Sequence, residues 1–154
     1  MGYRDVSNPL ITMAPIIIQG EKMVAIPKDV VDIMTAQGAV KTLVTVSAAG
    51  QPHAIVAGSI FPTPDGKVIV GEVLMKRSKA NLEANGKAAM LITAGPKSFE
   101  LVLANPARLD SGPVFDNMKA KLAEMKLPCF GVWAFDVCEV WDEGAGPNAG
   151  TKIA

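Results

Sequence analysis

The sequence is poor in the groups that most chemistries require. Two cysteines occur in 154 residues, Cys129 and Cys138, and a spacing of nine fits neither a metal pair nor a redox dithiol. They read as reduced core thiols of a cytoplasmic chain. The single histidine, His53, cannot build a conventional metal centre. Placed at a strand start, it also excludes a Ser-His-Asp or Cys-His hydrolytic set. Charge of either sign is not in surplus: 15 Lys plus Arg face 15 Asp plus Glu, which leaves no field to gather nucleic acid or an anionic membrane. Long apolar runs are missing too. The stretch from Pro9 to Ile18 is broken by Thr12 and Pro15 and is too short to span a bilayer. Neither the glycine-rich phosphate loop of nucleotide hydrolases nor the dinucleotide fingerprint occurs, and there is no internal repeat.

What is present suits one compact unit. The length predicts a single domain over 1–154, with residues 1–23 as an N-terminal arm and the glycine-rich end, 144–154, as a loosely held tail. Hydrophobic residues at 49% against charged residues at 19% leave apolar surface for a second subunit. Pro27 to Gln37, with Val30, Val31, Ile33 and Met34 at helical spacing and Gly38 after them, predicts a helix. Ala39 to Ser47, Pro52 to Phe61 and Lys67 to Val73 predict three sequential strands forming a meander. A short helix over Lys76 to Asn85, strands over Ala88 to Thr93 and Ser98 to Leu103, and a helix over Val114 to Lys126 with Val114, Met118, Leu122 and Met125 on its packing face come next. Val132 to Asp142 is the last strand, with Trp133, Phe135, Val137, Glu139 and Trp141 sharing a face. Five or six such strands closing on each other, with two or three helices, make a small α+β barrel.

The informative segment is Val68 to Gly86, in which a strand passes through Glu72-Val73-Leu74-Met75 into Lys76-Arg77-Ser78-Lys79-Ala80-Asn81-Leu82. Ser78 is a suitable N-cap, which places the positive end of a helix dipole there. Lys76, Arg77 and Lys79 crowd that end, each disfavoured by about 0.3–1 kcal/mol without a counter-ion. The nearest acid in the helix, Glu83, lies a turn further in. A phosphate would supply the missing charge, taking the free amides, the Ser78 hydroxyl and the planar fork of Arg77. Glu72 could steer protons there or pair with Lys76 or Arg77.

In this order, the strand Lys41 to Ser47, the turn Gly50-Gln51-Pro52-His53, a second apolar strand, the Asp65-Gly66 turn and the cationic segment with Ser78 and Asn81 resemble the FMN-binding split barrels related to pyridoxamine 5'-phosphate oxidase. The likeness covers roughly Gly38 to Thr93 and is nearest to the small FMN-binding proteins of anaerobic bacteria. It implies an α+β, mainly β fold: a six-stranded antiparallel split β-barrel flanked by two or three helices, forming a homodimer with FMN at the subunit interface. Carried over by position, Arg77 and Ser78 hold the phosphate, with Lys76 and Asn81 close by. Val56, Ala57 and Gly58 line the isoalloxazine through backbone groups, and Glu72, Val73, Leu74 and Met75 border the ring and the ribityl chain. Family members often carry polar or aromatic side chains where Val56-Ala57-Gly58 stands. The basic C-terminal set of the vitamin B6 enzymes has no counterpart in Trp141-Asp142-Glu143-Gly144. The resemblance thus implies a flavoprotein, an oxidoreductase or electron carrier with a small-molecule or protein redox partner, without B6 chemistry. The alternatives are non-catalytic binding or storage of a flavin, deazaflavin or haem, and a fold that has lost its cofactor. Trp133 and Trp141 read as core or as flavin contacts.

Overall fold

The structure is a computed structural model that describes residues 22–154, so the expected N-terminal arm lies almost wholly outside the described residues. Helix α1 (Lys28–Thr35) follows Pro27 directly, carries Asp29 in its first turn and buries Val30, Ile33 and Met34 on one side. Strand β1 (Val40–Val46) turns back at Gly50, whose φ of +84° suits a residue without a side chain, and pairs with β2 (Pro52–Val56) from Thr42↔Val56 to Val46↔Pro52.

The apolar run Pro52 to Phe61, expected to be one strand, is two. It leaves the ladder at Ala57 and resumes as β3 (Ile60–Pro62), which pairs not with β1 but with β4 (Val68–Glu72) across the Asp65-Gly66 turn. The expected meander of three strands is therefore replaced by two hairpins joined at Ala57-Gly58-Ser59, small residues that offer little to a pleated surface. Helix α2 (Lys76–Asn85) ends on Gly86 at φ +68°. After it come β5 (Ala88–Ala94), β6 (Lys97–Leu109), α3 (Pro113–Glu124), β7 (Gly131–Asp142) and β8 (Thr151–Lys152).

All strand pairs are antiparallel, in the order β2-β1-β5-β6-β7-β4-β3, with β8 on β7. The two ends of this order, β2 and β3, belong to the same broken run, so the curled sheet is stitched together covalently at Ala57–Ser59. Lys41 crosses the same seam, its Nζ donating to the Ile60 carbonyl at 2.6 Å. The class is the expected mainly β α+β with three helices, but eight strands are described where six were expected. One extra strand comes from the broken run and one from the tail. Residues 144–154, expected to be loose, are tied down: Gly150 N donates to Asp142 O, and Val140 and Ala154 exchange backbone hydrogen bonds.

The inner face carries the main core, including Leu43, Ile60, Val70, Met90, Leu101 and Phe135, joined by Val30 and Met34 of α1. A smaller cluster of Met118, Leu122 and Val132 lies under α3 on the outer face. Of the four residues expected to pack from α3, only Met118 and Leu122 are buried, while Val114 and Met125 are exposed. The helix sits where β4 has no side chain: a Cβ on Gly71 would come within 2.9 Å of Met118 Sδ and 3.1 Å of Leu122 Cδ1. The last strand also departs from simple alternation. Leu103 pairs with Val137 and Val102 with Glu139, so Cys138 is the extra residue of a bulge. Before it Trp133, Phe135 and Val137 face the core; beyond it Val140 is buried, while Glu139 and Trp141 are only partly covered. The expected single stripe from Trp133 to Trp141 is cut in two. No helix among the described residues is long and apolar enough to cross a membrane.

Candidate functional site

The break between β2 and β3 opens a cleft of about 320 Å³ on the outer side of the sheet. Six of the residues singled out in the sequence line it: Val56, Ala57 and Gly58 on one wall, Val73, Leu74 and Met75 on the other. The walls are held in register by backbone and hydroxyl bonds. Gly71 N donates to Ser59 O at 2.9 Å, Ser59 Oγ donates to Gly71 O at 3.0 Å, and Ala57 N donates to Lys41 O at 3.0 Å. A Cβ added at Gly58 would meet nothing within 4 Å, so this stretch presents open backbone to the cleft. Leu122, Met125 and Leu127, from the end of α3 and the turn after it, form a third wall. Val56 is 71% and Leu74 81% exposed, apolar side chains standing uncovered at the rim among the described residues.

Helix α2 starts at the end of the second wall. Its cap residue is Met75, not Ser78 as expected, because the helix begins one turn earlier than the serine signal indicates. No side chain caps it and no acid stands in its first turn, so its opening amides and dipole lack a protein anion. Lys76 and Arg77 are exposed and, among the described residues, have no carboxylate partner. Ser78 lies in that first turn with its side chain fully buried and its hydroxyl lacking any hydrogen-bond partner. An orphaned hydroxyl, free amides and two unpaired cations in one turn fit an anionic group such as a phosphate. Asn81 is buried and donates to Thr45 Oγ1 at 3.0 Å, so it anchors α2 on β1.

Glu72 belongs to a different constellation from the one expected. Its side chain points into the barrel end, away from the cleft wall made by Gly71 and Val73, and pairs with neither Lys76 nor Arg77. It accepts from Arg108 Nε at 2.7 Å, Arg108 Nη2 at 3.3 Å and Trp133 Nε1 at 3.1 Å, with Lys79 Nζ at 3.6 Å. Trp133, 4% exposed, is thus a core residue that holds this carboxylate. Burial pushes the Glu72 carboxyl up, but the hydrogen bond and charge of Arg108, the Trp133 N–H and the charge of Lys79 outweigh it, and the net direction is down. A carboxylate lowered in the folded state adds stability that is fully present above its unfolded value, about 4.3, and is lost as pH falls through the folded value. Urea unfolding midpoints should therefore hold steady from pH 7 to about pH 5 and fall below it. In Glu72→Gln the acid-side drop should be visibly shallower.

Sequence reasoning missed Arg108 and Lys79 as partners of Glu72, and the contribution of α3 to the cleft. Arg108 lies 36 positions from Glu72 and meets it only because β6 and β4 flank β7. The one trace in the sequence is that Arg108 stands next to the end of β6 with no acid beside it on that strand. His53 pairs with Thr45 across β1 and β2, one pair from the turn end of the hairpin, at the strand start expected. Burial raises the Cys129 thiol, which disfavours the thiolate that redox chemistry needs. Among the described residues no group of three or more His, Cys, Asp or Glu is placed to hold a metal.

No family model matches the sequence, and no curated protein does. Solved structures are similar in fold. HupZ of Group A Streptococcus is 22% identical, with 81% of this chain and 99% of that one covered and a TM-score of 0.68. An FMN-binding protein from Syntrophomonas wolfei subsp. wolfei is 18% identical over 72% and 81% of the two chains, with a TM-score of 0.66. A proposed pyridoxamine 5'-phosphate oxidase from Lactobacillus delbrueckii is 18% identical over 76% and 93%, with a TM-score of 0.62. HutZ, the haem storage protein of Vibrio cholerae, shares the fold at 14% identity over 79% and 97%, with a TM-score of 0.58. At these identities the likeness is one of fold: the curled antiparallel sheet with its three helices is shared with solved FMN-binding and pyridoxamine 5'-phosphate oxidase-like split-barrel proteins.

Proposed function

We propose that this protein binds FMN and works as a cytoplasmic oxidoreductase or electron carrier, with the cofactor at the interface of a homodimer. The observation that carries this reading is the convergence on one cleft of open backbone at Ala57–Gly58, apolar walls, and a helix start with neither cap nor acid. In this reading Arg77 and the amides of Lys76 to Ser78 hold the phosphate, Ser78 gains the acceptor it lacks, and Lys76 adds charge. Val56–Gly58 and Val73–Met75 flank the ring system and exclude water from it. The exposed Val56 and Leu74 are covered by the second subunit, so the site is complete only in the dimer. Bound FMN would supply hydride and single-electron chemistry; the chain contributes binding, orientation and a dry environment. Asn81 and Glu72 act at one remove, fixing α2 against β1 and against the barrel end.

The visible spectrum of the purified protein tests this directly. A flavin spectrum, present as purified or restored stoichiometrically by added FMN, is the expected result. A colourless protein that ignores excess FMN would refute it. The sharing of this fold with a haem storage protein makes haem the second reading, and a Soret band retained through gel filtration would establish it instead. Bleaching by NADH or NADPH, followed by recovery on adding an acceptor, separates an enzyme from a store.

A further inference from the structure

A second, larger hollow lies on the other side of α3, about 530 Å³ in volume, and shares none of the residues that line the cleft. Its floor is the outer face of β4, β7 and β6, with Ile69, Ala134 and Leu109 partly covered and Ala107 exposed. Met118 of α3 and the Pro62–Lys67 turn make its sides. The size is that of a small-molecule pocket, and the walls are mostly apolar. Its lining carries Lys67 and Lys121 against Asp65, and Lys67 is already paired with Asp136. Lys121 lines the hollow with its ammonium 4.3 Å from the centroid of the Phe61 ring, and has no carboxylate partner among the described residues. Lys41, 9% exposed and outside the lining, stands 4.9 Å from the same ring and donates to the Ile60 carbonyl. Asp136 is engaged by Lys67 Nζ and Asn105 Nδ2, while Asp65, on the turn at the side of the hollow, accepts from Thr63 Oγ1 and makes no ion pair with Lys121. Lys121 is thus an ammonium at the edge of an apolar hollow with no ion-pair partner among the described residues, and an anion with a greasy body would supply one.

We infer that this hollow binds a hydrophobic monocarboxylate, its chain along Ile69, Leu109, Ala134 and Met118 and its carboxylate on Lys121 beside Phe61. This site is independent of the flavin reading, since it lies behind α3 and uses none of the cleft residues. The test is a titration of the full-length protein, in whatever cofactor state it is purified, with decanoate and separately with 1-decanol. Methyl signals of isotopically labelled methionine report the location: Met118 borders the hollow and Met125 the cleft. Decanoate should shift Met118 saturably at one site per chain, with Met125 nearly unmoved. Lys121→Glu should weaken decanoate at least tenfold and leave decanol unchanged, whereas Ala107→Trp, which fills the hollow at an exposed position, should abolish both. The inference falls if Met118 gives no saturable shift, if Met125 alone responds, or if Lys121→Glu affects acid and alcohol equally. It falls as well if Met118 shifts with protein concentration in the absence of ligand, since the hollow would then be a contact between copies.

Discussion

Alanine at Arg77 and Ser78 together should weaken FMN binding by roughly a hundredfold or more while leaving the unliganded fold at least as stable as before. Each hydrogen bond to a charged group contributes about 1.5–3 kcal/mol, so losing two of them costs about 3 kcal/mol of binding or more. The folded state loses nothing comparable. Among the described residues Arg77 is exposed without an ion-pair partner, and the Ser78 hydroxyl is buried without a hydrogen-bond partner. Such a hydroxyl costs the fold about 1–3 kcal/mol, which alanine relieves. The measurement pairs flavin titration, followed by fluorescence, with thermal unfolding of the flavin-free protein. Parallel losses in both would make the turn a structural element and remove the phosphate role; so would retention of full FMN affinity. The two single variants divide the effect, because Ser78→Ala alone should raise the melting temperature of the free protein and still weaken the flavin.

The second large effect concerns the barrel end. Glu72→Ala leaves the Arg108 guanidinium, the Lys79 ammonium and the Trp133 N–H without their shared acceptor. Breaking a buried pair from one side costs about 3–5 kcal/mol. Here the lower figure applies, because the Arg108 side chain is 29% exposed and water can replace part of what it loses. About 3 kcal/mol in a chain of this size corresponds to a fall of roughly 6–12 °C in Tm. Adding Arg108→Met to Glu72→Ala should recover part of the loss, since the stranded cation goes too, and a double-mutant cycle in urea measures the coupling. Glu139→Ala serves as the comparison, because that carboxylate meets Lys152 at 3.6 Å and the Trp141 indole N–H at 2.8 Å on a far more exposed surface. If the two glutamate variants lose the same stability, the network at Glu72 contributes no more than an ordinary surface pair.

The sequence was readable where local signals decide structure. Lys76 to Asn85 is helical over the residues expected, because Gly86 stops it and Leu82 has a core to bury against. The hairpin at Gly50 and the turn at Asp65-Gly66 also followed from turn chemistry alone. What stayed hidden was set by partners distant in the chain. The break at Ala57 depends on β4 drawing Ile60 away from β1; Ala57-Gly58-Ser59 marks where the run can part, but not which strand takes up its second half. The bulge at Cys138 exchanges the two faces of β7, so alternation misplaced Trp141 although it placed Trp133 correctly. At the site, six cleft-lining positions came from the resemblance, and the phosphate-end cations came from their conflict with the helix dipole. Ser78 was found for a reason that does not hold, as a cap, and stands out for another, as a buried hydroxyl with no partner. Glu72 was found with the wrong partners, because Arg108 reaches it through the curvature of the sheet.

The strand order bears on how the chain is made as well as on what it binds. The β1–β2, β3–β4 and β5–β6 pairs are each close in sequence, but β4 finds its second neighbour only in β7, from Val68↔Phe135 to Glu72↔Gly131. During synthesis the β3–β4 hairpin, with its Val68-Ile69-Val70 stretch, must wait on the ribosome without a covering strand while more than fifty further residues are added. That half of the sheet, which carries one wall of the cleft, is then the slow step of folding and the segment most open to wrong pairing. Polypeptides released before β7 is complete should therefore aggregate rather than persist as partly folded barrels.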